Sequence, residues 1–253
     1  MYKDLQMDEI EQLKRFRFST KERLSDLSFP LNQVSDDQAL LQYLEKVGAH
    51  IGSPNSKVTA SIFVKRYAFV AVIYLYGISA WNKKLDPSLT NISLQTEKTD
   101  DLWLPTFYFH QTKMEEAEKS RDQWREKALK EFFSKNIHVL IEQVSKVTKQ
   151  SKHILWENIA IYLFWLYETV LPKIEDEEIQ TRAKGDFRYL ISEAPETLFG
   201  NEHTNPIKRY YHKKVYIKDL QEEVRVRTTC CVSYLLQGTP NRCKTCPQVG
   251  LLK

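Results

Sequence analysis

The chain has 253 residues and a mass of 29.9 kDa, enough for one domain of ordinary core size with a short additional segment. Hydrophobic residues make up 42% of the sequence and charged residues 28%, a composition that excludes an intrinsically disordered chain. The formal net charge of +4, set against 33 acidic residues, does not by itself indicate a nucleic-acid partner and mildly favours anionic small molecules.

The N-terminal residues MYKDLQMDEIEQLKRFRF carry acidic side chains from Asp4 onward and no apolar stretch. They therefore match neither a secretory signal nor a transit peptide, which predicts a cytoplasmic protein. The longest uncharged run, Tyr67 to Asn82, is shorter than the roughly 20 residues of a bilayer-spanning helix, so we expect no transmembrane segment. The composition leaves peripheral contact with a membrane open.

Helical periodicity is the main secondary-structure signal along the chain. Ser35 and Gln38 form a capping-box pattern before the first predicted helix. The predicted helix 151–170 is apolar nearly all round, which is typical of a central helix. The helices that we predict cover about 36–48, 58–81, 113–134, 137–149, 151–170 and 176–192.

Short strands are predicted in two places. Ile92 to Leu94 and Leu102 to Phe109 indicate two strands joined by a polar turn at Glu97 to Asp101. Further on, 215–217 and 224–228 alternate in polarity across a turn near 219–222 and predict a hairpin. The sequence thus predicts an α+β fold, predominantly helical with short antiparallel hairpins, made of a helix-rich body over 1–205 and a C-terminal segment over 206–253.

The C-terminal segment contains all four cysteines of the chain: Cys230, Cys231, Cys243 and Cys246. Their spacing is C-C-x11-C-x2-C, and the C-x2-C half can turn two thiolates onto one metal. Adjacent side chains in an extended segment point to opposite faces, so the vicinal pair suits two metal centres better than one. The pattern therefore favours a [2Fe–2S] cluster over a single zinc ion.

Four alternatives remain open from the residues alone. A four-cysteine zinc site usually has two C-x2-C pairs, and this chain has one. A disulfide framework is disfavoured by the size of the chain and the absence of a signal peptide, and unliganded buried thiols would not need to cluster. His203 or His212 would be available to replace a thiolate, as in Rieske centres, although four cysteines already suffice.

The stretch VRVRTTCCVSYLL followed by CKTCP resembles the C-terminal iron–sulfur segment of ferric siderophore reductases of the FhuF type. Arg227, Tyr234 and the pair Asn205-Pro206 add to this resemblance, as do WNKKLD and LWLPTFYF in the body, and the spacer of eleven residues is one longer than the family's. The resemblance implies a cytoplasmic bacterial protein in which the four cysteines ligate a [2Fe–2S] cluster.

The resemblance implies one-electron reduction of an Fe³⁺-siderophore with release of Fe²⁺, and the hydroxamate type is the more expected substrate. Hard oxygen ligands hold Fe³⁺ far better than Fe²⁺. The sequence has only seven glycines and no Rossmann glycine pattern, which predicts a separate electron donor. The alternatives are a non-catalytic binding module whose C-terminus is stabilised by a four-cysteine metal site (zinc or cluster), and an electron carrier for another enzyme.

Basic residues supply the candidate substrate contacts. Arg225, Arg227, Arg242 and Lys244 flank the cysteines, where they would tune the metal centre and attract an anionic ferric chelate, or else form a solvated face. Further candidates, with solvated surface as the plain alternative, are Lys65, Arg66, Lys208, Arg209, Lys213 and Lys214.

Overall fold

The computed structural model describes residues 2–96, 103–117, 120–238 and 242–248. Within these ranges the chain forms seven α-helices and nine short strands, so the predicted α+β class with predominant helix is confirmed. The helices are α1 (Met7–Lys14), α2 (Asp37–His50), α3 (Ser56–Trp81), α4 (Arg121–Phe132), α5 (His138–Thr148), α6 (Lys152–Trp165) and α7 (Glu177–Arg188).

Helix α3 is the centre of the fold and is buried on nearly every side. It begins where the Asn55 side chain accepts a hydrogen bond from Val58 N, and it ends at Asn82, whose left-handed φ of 55° stops the helix. Its principal partner is α6. Both helices are apolar all round because both are enclosed by the core.

Judged by length and composition alone, two helical stretches could cross a membrane: Ser56–Trp81 and Lys152–Lys173. In the fold, 83% and 61% of their most apolar windows are buried against the rest of the chain. This burial is the behaviour of core helices in a compact soluble fold.

Three wide π-helical turns lengthen the helices. Phe133–Ile137 joins α4 to α5, Leu166–Val170 continues α6, and Tyr189–Glu193 continues α7. The predicted helices over 151–170 and 176–192 are therefore confirmed with these extensions included, as are those over 36–48 and 58–81 within two residues at each end.

The strands form three small sheets. Strands β1 (Tyr2–Asp4), β7 (Lys113–Glu116) and β4 (Lys83–Lys84) lie in the order β1-β7-β4. A second sheet has the order β2-β6-β5-β3, with strands Phe18–Ser19, Thr106–Phe109, Ile92–Gln95 and Phe29–Pro30. Strands β8 (Val215–Ile217) and β9 (Glu222–Val224) form a hairpin, which confirms the pairing predicted there.

Several predicted boundaries were wrong. The helix predicted from 113 begins at Arg121, because Lys113–Glu116 pairs with β1 and β4 and buries Met114. Asp36 caps α2, since its carboxylate accepts hydrogen bonds from Gln38 N and Ala39 N. The predicted turn at 97–101 and residue 102 lie outside the described residues, and β9 ends at Val224 rather than at 228.

Candidate metal centre

The cysteines lie on two short stretches that follow β9 and are joined by their backbones. Arg227 N donates to Thr245 O at 2.8 Å, which ties the approach to the vicinal pair to the C-x2-C turn. Within that turn Cys246 N donates to Cys243 O at 2.9 Å. The two halves of the motif, separated by eleven residues in sequence, therefore meet in space.

The four thiols form two neighbouring pairs. Cys231 Sγ lies 3.9 Å from Cys243 Sγ. Burial raises the pKa of Cys230, and the neighbouring Cys231 and Cys246 thiols raise it further, which places Cys246 near Cys230. Cys231 and Cys246 are buried, while Cys230 and Cys243 are partly exposed. One member of each pair thus faces the interior and the other the surface.

This arrangement bears on whether one ion or two would be held. Two sulfurs on one tetrahedral ion lie about 3.8 Å apart, and all six distances in a four-cysteine site are similar. Among the residues that the structure describes, no three of the four Sγ atoms lie within 4.8 Å of one another, and neither His203 nor His212 joins them in such a group. Two pairs of sulfurs match a binuclear centre better than a single ion.

Donors surround the thiols. Val232 N donates to Cys230 Sγ at 3.4 Å, and the hydroxyl of Ser233 lies 3.2 Å from Cys231 Sγ. The Thr245 hydroxyl lies 3.7 Å from Cys243 Sγ, and Lys65 Nζ lies 3.9 Å from Cys231 Sγ. Donors at these positions stabilise sulfur that carries negative charge.

The acidity of the thiols differs within the group. The hydrogen bond between Cys231 and Cys243 lowers the pKa of Cys231, and the nearby Lys65 ammonium lowers it further. The same contact raises the pKa of Cys243. Burial raises the pKa of Cys230. Of the two thiols in contact, Cys231 is therefore the more acidic, and thiolate is the form that binds metals.

A buried carboxylate on α6 holds the segment that leads from β9 to the vicinal pair. Glu157 is 1% exposed and accepts hydrogen bonds from Thr228 N at 2.6 Å, from Thr229 N at 2.7 Å and from the Thr229 hydroxyl. The Arg227 guanidinium lies opposite, with Nε 3.6 Å from the carboxylate. Two N–H groups and a cation thus compensate the buried charge.

A second set of buried polar groups fixes Cys231 itself. Ser61 on α3 donates its hydroxyl proton to Cys231 O at 2.7 Å. Asn158 on α6 donates to Ser61 O at 2.9 Å and accepts from Arg227 Nη2 at 2.7 Å. The two central helices therefore hold the cysteine segment through one connected network.

The sequence alone does not single out Ser61, Glu157 or Asn158. The available signal was that an acid and an amide interrupt a helix that is otherwise apolar all round, since buried polar groups need partners. Only the fold reveals that those partners are Thr228, Thr229 and Arg227.

The predicted basic residues fall in three places. Lys65 and Arg242 lie at the thiols, with Arg242 Nη1 4.0 Å from Cys246 Sγ and its guanidinium 4.0 Å from the centre of the Tyr234 ring. Lys244 is exposed and pairs with Glu222 at 2.9 Å. Arg227 is only 3% exposed, so it has no open face for a bound chelate.

Three of the other predicted contacts line two clefts, and two more form ion pairs. Arg66 borders a cleft of about 300 Å³ together with Trp103 and the loop residues Leu236 to Gly238. Lys208 and Arg209 are exposed and border a cleft of about 630 Å³ near the end of α7. Arg225 binds Glu168 at 2.5 Å, an acid that also pairs with Lys214, so these cations fasten the hairpin to α6.

The chain matches a known protein family. The family described as ferric iron reductase FhuF-like transporter matches residues 61–214, more than half of the chain. The matched span includes Ser61, Lys65, Glu157 and Asn158 and ends before the first cysteine. The match to the body and the resemblance of the cysteine segment are therefore separate observations. A comparison with curated proteins finds no match.

Proposed function

The chain belongs to the ferric iron reductase FhuF-like family, and from that premise we propose that it reduces the ferric ion of a siderophore by one electron and so releases Fe²⁺. We propose further that Cys230, Cys231, Cys243 and Cys246 hold a [2Fe–2S] cluster. The observation that carries this proposal is the arrangement of the thiols as two pairs among hydrogen-bond donors, with Cys231 3.9 Å from Cys243.

The donor set fits such a cluster in number, type and surroundings. Four thiolates are the usual ligands of a [2Fe–2S] cluster, which when bound supplies electrons singly. Val232 N–H, the Ser233 and Thr245 hydroxyls and the Lys65 ammonium face the sulfurs. These donors offset negative charge at the centre and favour its more electron-rich form.

The chain's own residues explain why an anionic ferric chelate would approach here. Cys230 and Cys243 are partly exposed, so two of the four ligand positions reach the surface. Lys65 and Arg242, both partly exposed, place positive charge beside Cys231 and Cys246, and Lys244 adds an exposed cation nearby in sequence. We propose these three as chelate contacts, with Arg66, Lys208 and Arg209 as further candidates on the two clefts.

The release step follows from the preference of the ligands. Hydroxamate oxygens are hard and bind Fe³⁺ tightly, whereas the larger, less charged Fe²⁺ is held weakly. Among oxygen-donor chelates, the resemblance of the cysteine segment implies the hydroxamate class, so we propose a ferric hydroxamate as substrate. The electron donor is a separate protein or small molecule, and the site of action is the cytoplasm.

The proposal is tested by anaerobic purification and analysis of the full chain. We expect about two iron and two sulfide ions per chain, and a paramagnetic signal after chemical reduction. Reduced protein mixed with a ferric hydroxamate and a ferrous chelator should reoxidise rapidly and yield one Fe²⁺ for each electron it held.

Variants separate the ligands from the surroundings. Cys230→Ser and Cys246→Ser should lose most of the iron, the sulfide and the chelate reduction, whereas Tyr216→Ser at the exposed hairpin should keep all three. A colourless wild-type protein with one zinc ion per chain would identify the cysteines as a structural zinc site. A wild type with iron and sulfide that reduces no ferric chelate would identify an electron carrier.

A further inference from the structure

A second group of metal-ligating side chains contains none of the cysteines. His138 and Glu142 stand one turn apart on the same face of α5, and Glu202 approaches from the loop after the short helix Glu196–Phe199. One ligand atom from each of the three lies within 4.8 Å of the other two, and all three residues are partly buried. The i, i+4 spacing on a helix is a known metal-chelating arrangement.

The imidazole has a buried nitrogen without a hydrogen bond. His138 Nδ1 is shielded from solvent and has no hydrogen-bond partner within the described part of the chain. The nearest carboxylate oxygen, Glu202 Oε1, is 3.8 Å away, beyond hydrogen-bonding distance. A buried polar atom left without a partner is costly, and an ion between the imidazole and the carboxylate would supply one.

Two further contacts hold the ligands in place. Trp156 Nε1 donates to Glu202 Oε1 at 2.9 Å, which orients the carboxylate. The backbone at Gly200, with φ of 86°, lies close to the imidazole, and a Cβ there would fall 2.4 Å from the His138 Cγ atom. Such outer contacts orient metal ligands and are part of a functional site.

Charge and chemistry define what would bind. One imidazole and two carboxylates are a mixed nitrogen and oxygen set, which suits divalent first-row ions such as Mn²⁺, Fe²⁺ and Zn²⁺. A divalent ion would balance both carboxylates. Lys152 Nζ lies 2.5 Å from Glu142 Oε1, and both side chains are partly exposed. The Glu142 end of the group therefore faces solvent, and the Lys152 ammonium competes with an incoming ion for the carboxylate.

We propose that His138, Glu142 and Glu202 form a binding site for one divalent first-row transition ion, distinct from the cysteine centre. The proposal goes beyond the reductase activity and does not depend on it. In a protein that releases Fe²⁺, the same site would also take that ion by its chemistry.

Mn²⁺ is the probe of choice, because its six-line electron paramagnetic resonance spectrum reports the free ion and it does not favour thiolate ligands. The full chain, purified with whatever its cysteines hold and kept oxidised, is titrated with Mn²⁺. We expect one ion per chain to lose the free-ion signal. Glu142→Gln, Glu202→Gln and His138→Asn should each weaken this binding at least tenfold.

Two more variants sharpen the test. Lys152→Met removes the competing cation and should tighten Mn²⁺ binding severalfold, while Glu177→Gln, at a different acid on α7, should leave it unchanged. Anaerobic Fe²⁺ should displace the bound Mn²⁺ and restore the free-ion spectrum. These measurements involve no chelate reduction, so their outcome is independent of the reductase assay.

The proposal is overturned if the wild type binds no Mn²⁺ at millimolar concentration, or if Glu202→Gln and Lys152→Met bind it as the wild type does. Circular dichroism of each variant identifies misfolding. If a ligand variant is misfolded, the Lys152→Met comparison decides alone, since that change removes only a partly exposed side chain.

Discussion

Glu157→Gln is the sharpest test of how the cysteine segment is held. The change keeps the shape of the side chain and removes its charge. Thr228 N and Thr229 N, which donate to the carboxylate at 2.6 and 2.7 Å, then compete for one amide oxygen. The guanidinium of Arg227, 3% exposed, would remain in the interior without its carboxylate.

The expected cost follows from these contacts. Breaking a buried ion pair by removing one partner costs about 3–5 kcal/mol, because the remaining charge stays uncompensated. Asn158 still accepts from Arg227 at 2.7 Å, which places the loss at the lower end, about 3 kcal/mol. Most of the loss should fall on residues 227–231, since the apolar contacts between α3 and α6 are untouched.

Urea denaturation, iron and sulfide analysis and limited proteolysis measure the effect. We expect Glu157→Gln to lower the free energy of unfolding, to reduce bound iron and to allow cleavage near residue 229. Adding Arg227→Gln should recover part of the stability, because no lone charge is then buried. Glu193→Gln, which breaks an exposed pair with Arg188, should cost no more than about 1 kcal/mol. Wild-type stability and full iron content in Glu157→Gln would refute the reasoning.

Two further predictions concern single positions. Lys65→Met removes the ammonium that lies 3.9 Å from Cys231 Sγ. A dye-mediated titration should then give a midpoint potential of the metal centre that is more negative by an amount on the order of 50 mV. Lys57 is an exposed lysine on the same helix, and Lys57→Met should leave the midpoint potential unchanged. Gly200→Ala should lower the free energy of unfolding by about 2–4 kcal/mol, because its φ is 86° and its Cβ would overlap the imidazole on α5. Gly185→Ala should raise it by about 0.5–1 kcal/mol, because that helical position has open space; equal effects at the two glycines would contradict this account.

The parts of the fold that sequence predicted well are those fixed by local periodicity. Helices α3 and α6 are long and predominantly apolar, so their existence and approximate limits follow from local preference and length. Strand β7 could not be recognised in this way, since its sequence KMEE has a single apolar residue and suits a helix as well. Its partners are β1, more than a hundred residues away, and β4, and pairing over such distances leaves no local pattern.

The same division applies to the candidate metal centre. The spacing of the cysteines predicts their grouping, because the residue type and the motif are sufficient. The supporting groups Ser61 and Glu157 could not be assigned, since their partners lie 170 and about 71 residues away along the chain. Lys65 was chosen from sequence for its charge, and its position beside Cys231 follows only from the packing of the segment on α3.

The burial of α3 has a consequence for the synthesis of this protein. Its main partner α6 begins about 70 residues after α3 ends, and translation adds about 5–20 residues per second, so roughly 4–14 s pass between the two. During that interval α3, the most apolar long stretch of the chain, has no α6 to pack against while the chain is still attached to the ribosome. We expect the yield of folded protein to rise when a chaperone that binds nascent apolar segments is supplied in excess.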